Sequence, residues 1–275
     1  MTMQPLTSKH RDQLIEQGWL MIPDVVPRAL CERSAAALCG FINVDPEDPA
    51  TWRKYVTHGH GIIPLHHDQA LWDVRQLPQM HELFSVIYQT PKLWVSFDRG
   101  SFKVPSSFHE SGFRMDAVHW DGDPRAAEDF AVQGLVYLTD TPAEQGAFAM
   151  VPELYRTLDQ WLTVPRTDAE ARRPDVSGYP LVPVGGPQGS VVLWHRKMPH
   201  TSLANNATKP RLVQYVTMTP AGSEESRLRN ARECIEKRPP AWAVRQKVAG
   251  QLDPEPGPPP QLTSLGARLA GVEAW

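Results

Sequence analysis

A mainly-β sandwich or barrel with flanking helices is the fold class this sequence predicts, and three observations predict it. Helix-forming segments dominate up to about residue 90. From Pro91 to about residue 220 the chain breaks into eight or nine short β-rich runs. Between those runs lies no helix long enough for repeated crossovers, which argues against a parallel α/β sheet. With 275 residues, 41% of them hydrophobic, the chain can build one sizeable core, and one domain with extensions is expected.

Taken in order, residues 7–17 read as a helix with Thr7 or Ser8 as N-cap, closed by Gly18. Trp19–Ile22 follows as a short strand. A second helix is expected over 27–39, with Pro27 in its first turn and Gly40 beyond its end. Residues 43–66, rich in Pro, Gly and His, read as loop, and 69–76 and 80–89 as helices that cover a sheet from outside. The strand runs are 92–97, 100–104, 115–121, 130–139, 146–152, 180–184, 190–194, 198–203 and 211–217. Residues 154–176 interrupt them with a short helical stretch and the charged run 168–173. This insert is read either as a solvated loop or as a lid that carries substrate contacts. A terminal helix over 222–238 leads into a proline-rich arm, 239–260. The last segment, 262–275, has apolar residues at 265, 269 and 272 and is expected to dock back on the domain or on a partner subunit, with a homodimer through the arm as one outcome. The boundaries expected are therefore a domain over 1–222, helical in 1–90 and β in 91–220, and a C-terminal helix and arm over 223–275.

Charge and composition exclude several function classes. A net charge of −3 offers no electrostatic footprint for nucleic acid or an anionic membrane. No apolar run approaches the roughly 20 residues that span a bilayer, and the polar start of the chain lacks a signal-peptide core. Cys31, Cys39 and Cys234 form neither a disulfide framework nor a zinc pattern. They suit a reducing cytoplasm and read as small buried apolar residues.

The chemistry-bearing residues are His119-Trp120-Asp121, His200 and Arg211. Two imidazoles and a carboxylate are the ligand set that holds iron(II) on one face and leaves the other open. In an extended segment His119 and Asp121 point to one side and Trp120 to the other. His200 comes 81 residues after His119, and Arg211 another 11 residues on. Asn205-Asn206 and Lys209-Pro210 are turn chemistry, so 198–203 and 211–217 are expected to form an antiparallel pair with Ser202 opposite Arg211. Arg211 would present a planar fork, and Ser202 a hydroxyl, to the distal carboxylate of 2-oxoglutarate.

Other histidines compete for the same reading. His66 and Asp68 repeat the H-x-D spacing, but Asp68 is placed to cap a helix. His58 and His60 flank glycines in a polar loop. His195 lies five residues before His200 and is a possible replacement ligand. His81 and His109 carry no companion signal.

The segments Ala117-Val-His-Trp-Asp-Gly-Asp, Gln145-Gly-Ala-Phe-Ala-Met-Val-Pro-Glu and His200-Thr-Ser-Leu-Ala-Asn-Asn-Ala-Thr-Lys-Pro-Arg, with the opening Gln17-Gly-Trp-Leu-Met-Ile-Pro, resemble the phytanoyl-CoA dioxygenase family over about residues 7–220. The resemblance implies a double-stranded β-helix, the cupin-like jelly roll. It implies iron(II) ligands at His119, Asp121 and His200, and 2-oxoglutarate contacts at Arg211, Ser202 and Lys103. It implies reaction with dioxygen and hydroxylation of a small molecule, with succinate and carbon dioxide released. Asp121 stands where halogenating relatives have a small residue, which favours hydroxylation. Pro152-Glu-Leu-Tyr155 departs from the family's Pro-Gly-Ser-His, so the substrate is not carried over. Pocket walls are expected from Lys103, the 106–116 loop, Tyr137 and the insert. Desaturation, cyclisation and epimerisation use the same cofactors and stay open. So do a metal-binding cupin of another reaction class and a catalytically silent binding protein.

Overall fold

In a computed structural model, which describes residues 6–52, 61–108, 117–126, 130–245 and 258–275, two antiparallel sheets face one another and helices cover the outer side of the larger. The strands are β1 (Trp19–Ile22), β2 (Ile62–Ile63), β3 (Leu93–Val95), β4 (Gly100–Lys103), β5 (Val132–Tyr137), β6 (Phe148–Met150), β7 (Val182–Val184), β8 (Val191–His195), β9 (His200–Ser202), β10 (Arg211–Tyr215) and β11 (Met218–Pro220). The large sheet has the order β1-β8-β5-β10-β4-β2 and the small one β7-β6-β9; β11 pairs with β3 apart from both. This is the jelly-roll arrangement.

Side-chain alternation explains why the central strands read as nearly continuous apolar runs. From the large sheet, Leu135, Tyr137, Val192, Trp194 and Val213 face inward and pack against Phe148, Met150 and Val184 of the small sheet. Their neighbours Val132, Val136, Val191, Leu193 and Leu212 point outward into a second core under the helices. With both faces covered, no polar face is left to mark the alternation. Tyr137 joins the sheets. Its hydroxyl accepts a hydrogen bond from the Phe148 amide (3.0 Å) and donates to the Val184 carbonyl. Tyr137→Phe leaves both groups unpaired in a dry interior and is expected to destabilise the fold by about 1–3 kcal/mol. Thermal unfolding would read this as a lower Tm, and an unchanged Tm would refute the linking role.

The covering helices are α1 (Ser8–Gln17), α2 (Arg28–Phe41), α3 (Pro49–Trp52), α4 (Gln69–Arg75) and α5 (Pro78–Tyr88). They bury Leu14, Leu38, Trp72 and Phe84. Gly18 ends α1 at φ +81°, its amide bonded to the Leu14 carbonyl, and a Cβ there would collide with Met198 and Tyr155. Only glycine combines that backbone with that contact. The insert folds as α6 (Pro152–Arg156), α7 (Leu158–Leu162) and α8 (Asp168–Arg172), and the C-terminal part as α9 (Glu224–Ile235), α10 (Ala241–Arg245) and α11 (Ser264–Leu269). Of the two expected destinations of the last segment, its own chain is the one observed. Leu269 and Ala270 are buried in the main core, and Trp275 donates its indole N–H to the Leu93 carbonyl (2.8 Å).

Three expectations need correction. The region 43–66, read as loop, contains α3 and the edge strand β2, which is two residues long and exists through its pairing with β4. Residues 115 and 116 lie outside the described residues, and among the described part of 115–121 only His119 bridges, to His200, so no regular strand forms there. The segments around His200 and Arg211 do not pair with each other. β9 pairs with β6 in the small sheet, while β10 lies between β5 and β4 in the large one. The turn carries the chain between sheets, and Ser202 meets Arg211 across the interior rather than along a ladder. Among the described residues no helix is long and apolar enough to cross a membrane.

Candidate metal centre

His119 and His200 are brought together by backbone bonds before their side chains interact. Each residue's amide donates to the other's carbonyl at 3.0 Å. Asp121 follows two residues later, and the three candidate ligand atoms lie within 4.8 Å of one another. His119 Nε2 is 3.7 Å from Asp121 Oδ1, and His200 Nε2 is 3.6 Å from Oδ2. Each Nδ1 faces the carbonyl of the residue two before it, Ala117 at 2.9 Å and Met198 at 3.0 Å. With Nδ1 as the donor there, each ring turns its Nε2 toward Asp121, the side on which a cation would be held. The donor set, two nitrogens and one carboxylate, fits iron(II).

Exposure is graded across the three. The side chain of His200 is 7% exposed, His119 35% and Asp121 46%, so the cluster has a closed inner wall and an open outer side. Phe148 and Trp194 stand against the His200 ring, with centroids 5.4 and 5.3 Å away. Burial by itself would raise the Asp121 carboxyl. Contacts with His200, the Gln133 hydrogen bond and His119 outweigh it and hold the group below the usual carboxylate range. Gln133 Nε2 donates to Asp121 Oδ2 at 2.6 Å, and Gln133 Oε1 accepts from the Trp194 indole at 3.2 Å. That pair of bonds fixes which way the amide points. Gln133 escaped the sequence reading. Its signal is its place as the polar end of the inward row Gln133, Leu135, Tyr137.

Trp120 turns away from the cluster and anchors the loop that carries it. Its ring is buried, its indole donates to the Lys197 carbonyl (2.8 Å), and its amide donates to the Arg172 carbonyl of the insert (3.1 Å). Val118, Leu154 and Leu158 pack with it, and Trp161 lies 5.2 Å away. Arg125 pairs with Asp123 at 2.8 Å and with Asp168 of α8 at 2.6 Å. The insert is thus packed against the back of the His119–Asp121 segment, and its packed residues are not a solvated loop.

Deeper inside, Arg211 and Lys103 lie directly opposite on β10 and β4 and are each 1% exposed. Lys103 Nζ donates to Ser202 Oγ (2.9 Å) and to the Ser202 carbonyl (3.1 Å). Arg211 donates to Ser202 Oγ (3.0 Å), the Gly146 carbonyl (3.1 Å) and Ser101 Oγ (2.9 Å). Its Nε is buried with no hydrogen-bond partner among the described residues. A buried guanidinium with an unpartnered Nε is costly unless a further acceptor reaches it. A dicarboxylate with one end on the metal and the other on this pair fits that demand.

The competing histidines are accounted for by other partners. Asp68 caps α4, accepting from the Ala70 amide at 2.8 Å. His195 accepts from the Lys197 amide, packs on Phe130 and Tyr155, and is pushed down to about 4 by burial and then by Lys197. His67 is buried between the Arg238 carbonyl, to which Nε2 donates, and the Trp72 indole. Burial, then the charge of Arg75, holds it down to about 3. Because its folded value lies below its unfolded 6.5, His67 contributes fully above pH 6.5, and that stability is lost as pH falls toward 3. Between pH 6.5 and 5 the wild type is expected to lose Tm more steeply than His67→Gln, and parallel Tm profiles would refute this. His58, His60 and His109 lie outside the described residues, as does most of the expected 106–116 pocket loop.

Comparison with known proteins agrees with this architecture. A Dictyostelium discoideum protein named "Putative phytanoyl-CoA dioxygenase" is 20% identical over 259 residues, covering 76% of this chain and 74% of that protein. The α-ketoglutarate-dependent epimerase SnoN from nogalamycin biosynthesis superposes over 93% of this chain and 94% of its own, with TM-score 0.60 and 16% identity. The carbocyclase SnoK of the same biosynthesis covers 79% of this chain and 87% of its own, with TM-score 0.55 and 19% identity. The family model of phytanoyl-CoA dioxygenase (PhyH) matches residues 14–213. The chain therefore belongs to the phytanoyl-CoA dioxygenase family and is an Fe(II)- and 2-oxoglutarate-dependent oxygenase.

Proposed function

We propose that His119, Asp121 and His200 hold the iron(II), that Arg211, Ser202 and Lys103 hold the distal carboxylate of 2-oxoglutarate, and that the reaction is hydroxylation of an unactivated C–H bond in a small molecule. The observation that carries this is the pairing of an open His–Asp–His cluster with a buried Arg–Lys–Ser anchor inside one jelly roll. When bound, iron activates dioxygen and 2-oxoglutarate supplies two electrons, leaving as succinate and carbon dioxide.

The protein's share is orientation and exclusion. The two Nδ1–carbonyl bonds hold the imidazoles in the binding tautomer. Gln133 holds the Asp121 carboxylate toward the histidines, and Phe148 and Trp194 keep water from the inner side of His200. Arg211 and Lys103 set the depth and direction of the cosubstrate. The exposed outer side of Asp121 and His119 is where substrate enters.

The test is an anaerobic titration of the purified protein with iron(II) and then 2-oxoglutarate, read as a visible metal-to-ligand charge-transfer band. No band in folded protein that has taken up iron would overturn the proposal. Succinate release with candidate small molecules follows, and product mass separates the outcomes. Hydroxylation adds one oxygen atom, ring closure or desaturation removes two hydrogens, and epimerisation leaves the mass unchanged. Ring closure and epimerisation are the second reading, favoured by the likeness to SnoK and SnoN.

Trp161→Ala should test the bracing by the insert. Loosening the support of Trp120 is expected to weaken iron affinity about tenfold, the lower end of losses seen when groups behind metal ligands are removed. Competition with a chromophoric chelator would measure it, and wild-type affinity would assign the insert another role. The three cysteines are free and buried, and burial pushes each thiol up to about 12. They are inert at neutral pH, and we assign the protein to the reducing cytoplasm. We propose the domain boundaries 1–222 and 223–275 with the terminal segment folded back on the domain. A homodimer through the C-terminal arm belongs to the same proposal.

A further inference from the structure

We infer that Gln133, oriented by Trp194, is a positioning residue that holds Asp121 Oδ2 off the metal, so that Asp121 binds through Oδ1 alone and leaves room for 2-oxoglutarate. This rests on the proposed function and adds a determinant of how the cosubstrate is seated.

Distances to the imidazoles do not choose between the two carboxylate oxygens. Oδ1 lies 3.7 Å from His119 Nε2, and Oδ2 lies 3.6 Å from His200 Nε2. Gln133 treats the two differently, because its Nε2 donates to Oδ2 at 2.6 Å. A hydrogen bond to a carboxylate is charge-assisted and draws electron density from the oxygen that accepts it. Oδ2 becomes the poorer donor to a cation, and Oδ1 the better one.

The direction of the amide is set by the sheet. β5 and β8 place Gln133 directly opposite Trp194. An indole nitrogen can only donate, and that of Trp194 donates to Gln133 Oε1 at 3.2 Å. The amide oxygen is thereby committed to Trp194, and the amide nitrogen faces Asp121. Trp194 is itself fixed. Its side chain is buried, with ring centroids of Phe148 and His200 at 4.4 and 5.3 Å. Asp121, by contrast, sits outside any helix or strand and is exposed, so packing does not set the rotation of its carboxylate. Two residues on paired strands supply the orientation that its own segment lacks.

This choice of oxygen bears on the cosubstrate. Carboxylates bind divalent cations through one oxygen or through two. Two imidazoles and a single oxygen leave open the positions that an oxygenase of this type needs. A second Asp121 oxygen would occupy one of them. Losing the Gln133 hydrogen bond should therefore harm 2-oxoglutarate binding more than retention of the metal.

The experiment uses the full chain without oxygen and reads two quantities. Iron(II) affinity comes from competition with a chromophoric chelator, and 2-oxoglutarate half-saturation from titration of the charge-transfer band. Q133L, close in size and without a donor, is expected to bind iron(II) no more weakly than wild type. Its 2-oxoglutarate half-saturation should rise about tenfold, the equivalent of one charge-assisted hydrogen bond. W194F keeps a ring against His200 but frees the amide to turn, and it should fall between wild type and Q133L. If Q133L does not fold, W194F decides. An iron(II) affinity about 10- to 100-fold lower in Q133L, with 2-oxoglutarate half-saturation unchanged, is what simple support behind a ligand gives, and it would overturn the inference. Equal losses of both, or of neither, would overturn it as well. A missing band in folded, iron-loaded wild type would instead overturn the iron and 2-oxoglutarate assignment, and this inference with it.

Discussion

Asp121→Ala is expected to abolish the charge-transfer band and to lower iron affinity by at least about 100-fold, beyond what losses behind the ligands produce. Asp121 is the one carboxylate of the cluster, and it faces both imidazoles, at 3.7 Å from His119 and 3.6 Å from His200. Without it two neutral nitrogens remain on a half-open wall, and a divalent cation loses its charge partner. Stability should change far less than activity, since the side chain is 46% exposed. The depressed carboxyl does contribute at neutral pH. Its folded value lies below the unfolded one, so that contribution is present above the usual carboxylate range and lost as pH falls through the folded value. The measurement is iron content and the visible spectrum beside a melting curve. A full-strength band in folded Asp121→Ala would remove Asp121 from the ligand set.

Arg211→Ala is expected to raise the 2-oxoglutarate concentration needed for half-saturation about 100-fold, since two charge-assisted hydrogen bonds are lost. Its effect on the fold has two opposing parts. Ser101, Ser202 and the Gly146 carbonyl each lose a donor. Against that, Lys103 no longer shares a dry site with a second cation. Arg211→Lys keeps the charge but not the fork and should fall between wild type and alanine. Titration of the charge-transfer band with 2-oxoglutarate separates the three. Equal half-saturation in all of them would place the distal carboxylate elsewhere and revive the cupin of another reaction class.

The candidate site was legible to different depths. The H-x-D spacing, His200 and Arg211 could be read because each is a residue type with few reasons to recur in that order. Ser202 was paired with Arg211 for the wrong reason. The contact exists, but the strands belong to different sheets, and a local turn pattern carries no information about which sheet a strand joins. Gln133 could not be singled out, since one glutamine in a β-rich run gains meaning only once Asp121, far from any strand pairing with it, is placed 2.6 Å away. The 43–66 segment hid β2 because two residues are too few for a periodic signal.

By itself the sequence determined the fold class, most of the order of elements, and the residues proposed to bind a cation and a dicarboxylate. These are local properties, carried by side-chain chemistry and by spacings of two to eleven residues. Tertiary structure alone decided which sheet each strand entered, that Trp120 and the insert brace the His119–Asp121 segment, that His67 and His195 serve as neutral buried residues, and that the C-terminal segment returns to its own core. Each of these depends on contacts between residues 32 or more positions apart. Their energy comes from burial and from partners that no short stretch of chain contains.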